Sequence, residues 1–222
     1  MSSTFFILAS LTVIWVIFFI ASRETRREML VMSLLMLAAT PGAVYLAAAD
    51  PRASQVITDL SVPNENFLFA FTIGGIAAVI YHIVYRKTFR KVPASKRTPA
   101  TPAAAHWLAL MVIIGSAWFL AAIIMTFAFG LNPLHALIIG GIMIGLYIVA
   151  DRKDLLTDAV VSAVFMAVII FAAEQLFFFR FYPGLESTTY LGAVPFEEIA
   201  WAAVLGFTFG PLYEYARNLH FK

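Results

Sequence analysis

Two stretches decide how this chain is read: residues 62–86, VPNENFLFAFTIGGIAAVIYHIVYR, and residues 194–218, VPFEEIAWAAVLGFTFGPLYEYARN. They align without gaps at an offset of 132, with six of 25 positions identical. The identities are Val62/Val194, Pro63/Pro195, Glu65/Glu197, Ala70/Ala202, Gly74/Gly206 and Tyr81/Tyr213. Each stretch starts with Pro-x-Glu and runs on as an apolar segment long enough to cross a bilayer. Self-similarity at a fixed offset is the mark of a duplicated unit. The basic turn RETRRE, before the second apolar run, also has a counterpart in DRKD, before the sixth.

The surroundings agree with a membrane reading. Of 222 residues, 62% are hydrophobic and 13% charged, and the mean hydropathy is +0.88. A soluble domain carries roughly half apolar and about a quarter charged residues. Apolar runs fall near 4–22, 29–49, 66–85, 105–129, 133–150, 157–179 and 195–215. The expected fold is therefore an all-α integral membrane protein with seven transmembrane helices. Helices one to three and five to seven form two parallel three-helix repeats joined by a linking helix, a 3+1+3 plan. A single joining helix returns the second unit to the orientation of the first. The units are residues 1–86 and 132–222, and residues 87–131 hold a linker and the joining helix. The linker RKTFRKVPASKRTPATPAA is rich in Lys, Arg and Pro and has no apolar period.

Charge sets the expected orientation. Thirteen of the fifteen basic residues fall on one side of a seven-helix path, and only Arg52 and Arg180 fall on the other. The rich side is cytoplasmic by the positive-inside rule. The Pro-x-Glu loops then lie outside, with the N-terminus outside and the C-terminus in the cytoplasm. The first apolar run has no basic residues before it and no small-residue cleavage site, so it reads as a retained span in the cell membrane. With no cysteine, disulfides and thiolate chemistry are excluded. No dinucleotide or phosphate-loop motif is present, and nothing points to nucleic acid.

Two readings of Pro-x-Glu stand side by side. Proline at the first helical position and Glu two residues later make a good helix start. Alternatively, carboxyl groups in an apolar cavity can exchange protons there. Glu197 and Trp201 are four apart, as are Glu65 and Phe69, so each acid shares a helix face with an aromatic ring. A ring face beside an acid suits a cationic intermediate. Glu174, near the outer end of the sixth run, is a functional candidate as an ionisable group within a span. Its alternative is a structural pairing with Arg180 or Gln175. His82 and Glu214 occupy equivalent places near the cytoplasmic ends of their helices and read as interface residues. His106 and His135 read as structural, and the four histidines show no metal-ligand spacing.

At these residues the chain resembles the carotenoid cyclases of the heterodimeric or fused lycopene cyclase type, a flavin-independent family of two homologous three-helix units. The family pattern Pro-x-Glu-Glu followed by aromatics is matched by Pro195, Glu197, Glu198 and Trp201. In the first unit it is matched by Pro63, Glu65 and Phe69, with Asn66 where a second Glu is usual. The family's Thr-Pro-Trp-Asp-x-Tyr is represented by Thr40, Pro41 and Tyr45, with Gly42 and Ala43 in place of Trp and Asp. The resemblance implies redox-neutral cyclisation of an acyclic carotenoid end within the membrane. That chemistry calls for an acid, a base and cation-tolerant walls, and for no metal and no obligatory redox cofactor. It assigns Glu197 and Glu198 as the acid–base pair, with Glu65 and Glu174 supporting. Trp201 and Phe69 line the cation, and Pro195, Pro63, Asn66 and Tyr45 border the substrate. The polyene enters from membrane lipid, and an oligomer is compatible with the plan. Three other readings remain open: another terpenoid isomerase or hydratase, a small-molecule transporter of the same helix plan, and a non-catalytic carotenoid-binding protein.

Overall fold

A chain this apolar must satisfy its backbone groups internally, and helices do so within one segment. The computed structural model describes residues 3–48, 64–85, 89–91, 103–177 and 189–221. Among these residues there are seven α-helices: α1 (Ser3–Ala21), α2 (Arg26–Ala48), α3 (Asn64–Tyr85), α4 (Ala103–Phe129), α5 (Pro133–Asp151), α6 (Leu156–Phe177) and α7 (Phe196–Arg217). Four short strands accompany them: β1 (Phe89–Lys91), β2 (Tyr190–Leu191), β3 (Val194–Pro195) and β4 (Leu219–Phe221).

Five helical segments are long and apolar enough to cross a membrane: Arg26–Leu46, Asn64–Tyr85, His106–Phe129, Pro133–Asp151 and Lys153–Leu176. Phe5–Ala21 is apolar but shorter. α7 carries Glu197, Glu198, Glu214 and Arg217 within 22 residues. Large apolar side chains face outward along the outer helices, among them Ile17, Ile113, Leu120, Phe127 and Met143. A water-facing domain buries such residues, whereas hydrocarbon is a good solvent for them. The chain has the build of a membrane protein.

α3 and α7 form the centre. α3 packs against α1, α2, α6 and α7, and α7 packs against α3, α4, α5 and α6. Small residues let these helices come close. A Cβ on Gly206 would run into the Ser162 carbonyl oxygen of α6, and one on Gly74 would meet Met36 Cγ of α2 at 2.5 Å. The two identical glycines of the aligned stretches thus seat α3 on α2 and α7 on α6. Three pairs of residues 132 positions apart also meet: the rings of Phe69 and Trp201, the side chains of His82 and Glu214, and the Cα partners Phe89 and Phe221 of the antiparallel β1–β4 pair.

The turns are closed by arginines. After α1, Arg26 donates through Nε to the Phe19 carbonyl at 2.7 Å. After α5, Arg152 reaches the end of α7 and donates to the carbonyls of Glu214 at 3.1 Å and Leu219 at 2.7 Å. A cation there satisfies open carbonyls and complements the helix dipole. α7 ends on Asn218 at φ 51°, ψ 47°, a left-handed position that asparagine tolerates.

Candidate functional site

The Pro-x-Glu end of α7 is shaped by a small hairpin. β2 and β3 pair with Tyr190 opposite Pro195 and Leu191 opposite Val194, leaving Gly192 and Ala193 as the turn. Gly192 takes φ 65°, which glycine adopts without strain. Gln175 of α6 holds this turn, its Oε1 accepting from the Ala193 amide at 3.2 Å. The first amide of α7, at Phe196, donates to the Thr189 carbonyl at 3.0 Å. Pro195 is the residue before the helix, one place outside the first helical position expected from sequence.

This anchoring gives the two adjacent acids different surroundings. Glu198 is buried at 1% exposure, while Glu197 is half-buried and Phe196 beside it is exposed. Glu174, three residues before the end of α6 and next to the Gln175 clamp, is also buried, at 2%. Both buried acids belong to the same end of the α6–α7 pair. In the first unit, Glu65 is exposed and Asn66, the counterpart of Glu198, is half-buried. The inward-facing position is therefore Glu in one stretch and Asn in the other.

One turn deeper, Phe69 and Trp201 stack with ring centroids 6.2 Å apart and planes at 21°. Trp201 also touches a small core of Leu46, Ala122, Ala136 and Leu137, with Phe119 and Met125 against it. It thus joins α3 and α7 to α2, α4 and α5. The stacked rings make an apolar, electron-rich wall. Tyr45 is 66% exposed and belongs to the outer surface of α2. Pro63 lies outside the described residues, as does Arg180, the pairing partner considered for Glu174. Of the residues selected from sequence, Phe69 and Trp201 are brought together from different helices.

A second polar cluster sits at the opposite ends of the same helices. His82 and Glu214, expected at an interface, are buried at 3% and 0%, and His82 Nε2 lies 2.7 Å from Glu214 Oε1. Glu28, near the start of α2, is buried at 1% with its Oε1 4.0 Å from the same nitrogen. Asp158, near the start of α6, is fully buried and accepts from Ser162 Oγ at 3.0 Å. A basic and aromatic rim covers this end: Arg27 and Arg217 lie over the Trp107 ring at 5.5 and 5.6 Å, and Arg217 also donates to the Tyr213 hydroxyl. Equivalence of positions 82 and 214 was visible in the aligned stretches. Glu28 was hidden by the basic turn around it, although it precedes the buried Met32 by one helical turn. Asp158 carried a signal in its i, i+4 spacing to Ser162 inside an apolar helix.

No protein-family model, no characterised protein and no solved structure matches the chain.

Proposed function

We propose that the chain is an intramembrane acid–base isomerase of apolar isoprenoid polyenes, of the lycopene cyclase kind, acting without a redox cofactor. The observation that carries this reading is the stack of Phe69 on Trp201. It lies one turn inside the Pro-x-Glu starts, where Glu198 and Glu174 are buried.

In this reading the two aligned stretches are the third helices of a duplicated three-helix unit, and α4 joins the copies. The pairs 132 positions apart that meet along α3 and α7 support it, because equivalent positions of two units meet where they lie on a shared axis. The end carrying Arg27, Arg152 and Arg217 is cytoplasmic, and the Pro-x-Glu end is outer.

The chemistry follows from the environments. Glu198, in its acid form, gives a proton to the terminal double bond of the polyene. The tertiary cation, held against Phe69 and Trp201, is attacked by an internal double bond and a ring closes. A carboxylate, Glu174 or Glu197, takes a proton from a carbon beside the new cation, and a double bond forms. One proton enters and one leaves, so the product is an isomer of the substrate. Burial keeps water from capturing the cation. Asn66 offers an amide instead of a second acid at the counterpart position, so the second unit carries the proton transfer.

The test is pigment analysis of a lycopene-accumulating bacterial host expressing the full chain, beside a Glu198→Gln variant present in the membrane at equal amount. Cyclic products with the first and none with the second are expected. Unchanged lycopene from a folded, membrane-inserted chain would sink the reading for that substrate.

A further inference from the structure

The Glu28–His82–Glu214 cluster plays no part in the proposed chemistry, which belongs to the other end of the helices. We infer that it is a binding site for a divalent transition-metal ion of the zinc, manganese or iron class, with a structural role.

The geometry is that of a ligand set. One donor atom each from Glu28, His82 and Glu214 falls within 4.8 Å of the others, and all three residues are buried. Donors around such an ion at about 2.1 Å stand roughly 3–4 Å apart, so small side-chain movements complete the sphere. The three ligands come from α2, α3 and α7, whose packing holds them together. Asp158, from α6, stands behind them, near enough to Glu28 and Glu214 for their charges to interact. An imidazole with carboxylates and no thiolate suits this class of metal.

The second observation is that acceptors outnumber donors. Among the described residues, no amide, hydroxyl or basic group is in hydrogen-bonding position for either oxygen of Glu28, for Glu214 Oε2 or for Asp158 Oδ2, and the Glu28 and Glu214 carboxyl groups face each other. Glu28 is 1% exposed, so bulk water does not reach its oxygens. Buried carboxylates left without donors are costly. The nearby cation Arg217 is engaged with Tyr213 and the Trp107 face. A divalent ion bound by Glu28, His82 and Glu214 would satisfy several of these oxygens at once.

The test uses the untagged full chain in detergent, treated with chelator and exchanged into metal-free buffer. Mn²⁺ or Zn²⁺ alone is then added. The expected results are one ion per chain by elemental analysis and an upward shift in thermal midpoint on adding it. Glu28→Gln, close in shape to the native residue, should keep the helical circular dichroism and bind about tenfold more weakly or worse. His82→Ala should lose the ion as well. Two results would overturn the inference: an unchanged midpoint and less than a tenth of an ion per chain at saturating Mn²⁺ and Zn²⁺, or Glu28→Gln binding as tightly as the native chain. In the first case the cluster shares protons instead of a metal. Pigment formation is measured separately, so a failed metal test leaves the proposed isomerase untouched, and a failed isomerase leaves the metal site standing.

Discussion

Glu197 and Glu198 are neighbours in sequence with different fates. A helix turns about 100° per residue, so adjacent side chains face different ways. Glu198 faces the packed interior and Glu197 the edge. In the proposed reaction their substitutions should therefore differ. Glu198→Gln is expected to lower cyclic product by about 100-fold or more, the scale of general acid catalysis. Glu197→Gln should leave a measurable fraction, and equal loss from both would overturn the division of roles. Trp201→Leu removes the ring that stacks on Phe69 while keeping an apolar side chain. About 1–2 kcal/mol of cation stabilisation corresponds to roughly a fivefold to thirtyfold fall in pigment formation. Undiminished pigment from Trp201→Leu would show that the wall does not serve the cation.

Between elements, the closest approach is where α7 crosses α6. The Gly206 Cα faces Ser162 and Ala163 backbone atoms, so a larger residue must push the helices apart. Gly206→Leu should lower the thermal midpoint or the yield of folded protein, with overpacking costing about 1–3 kcal/mol or more. Gly115→Ala serves as a control, because nothing lies within 4 Å of a Cβ placed there. At the end of α7, Asn218 adopts the left-handed conformation that a β-branched residue resists. Asn218→Val should cost about 1–2 kcal/mol. A stability equal to the native chain, measured by thermal unfolding in detergent, would show that the helix end relaxes without strain.

For the whole molecule, the absence of cysteine is an experimental convenience. Any introduced cysteine is unique. Single cysteines replacing exposed Glu24 and Lys153 should react with a membrane-impermeant maleimide only after the cell is opened. One replacing exposed Ala193 should react in intact cells. The reverse pattern would invert the proposed orientation. All three reacting alike in intact cells would remove the sidedness altogether.

Much of the helix plan was legible in the chain, because hydrocarbon solvates only segments that satisfy their own backbone groups, and such segments are written as long apolar runs. The helix borders expected near 29–49, 66–85 and 133–150 lie within a few residues of α2, α3 and α5. The aligned stretches also named pairs of equivalent residues, and Phe69 with Trp201 was already singled out beside the acids. Local sequence did not say which side of each helix faces the centre. It gave the neighbours Glu197 and Glu198 the same promise, whereas one is half-buried and the other buried, and it did not show that Tyr45 lies on the exposed surface of α2. It also left His82 and Glu214 at a surface. They are interior because α3 and α7 cross face to face, a contact between residues 132 apart in the chain. Burial of a polar side chain is a property of what packs over it, and that is decided only when distant helices come together.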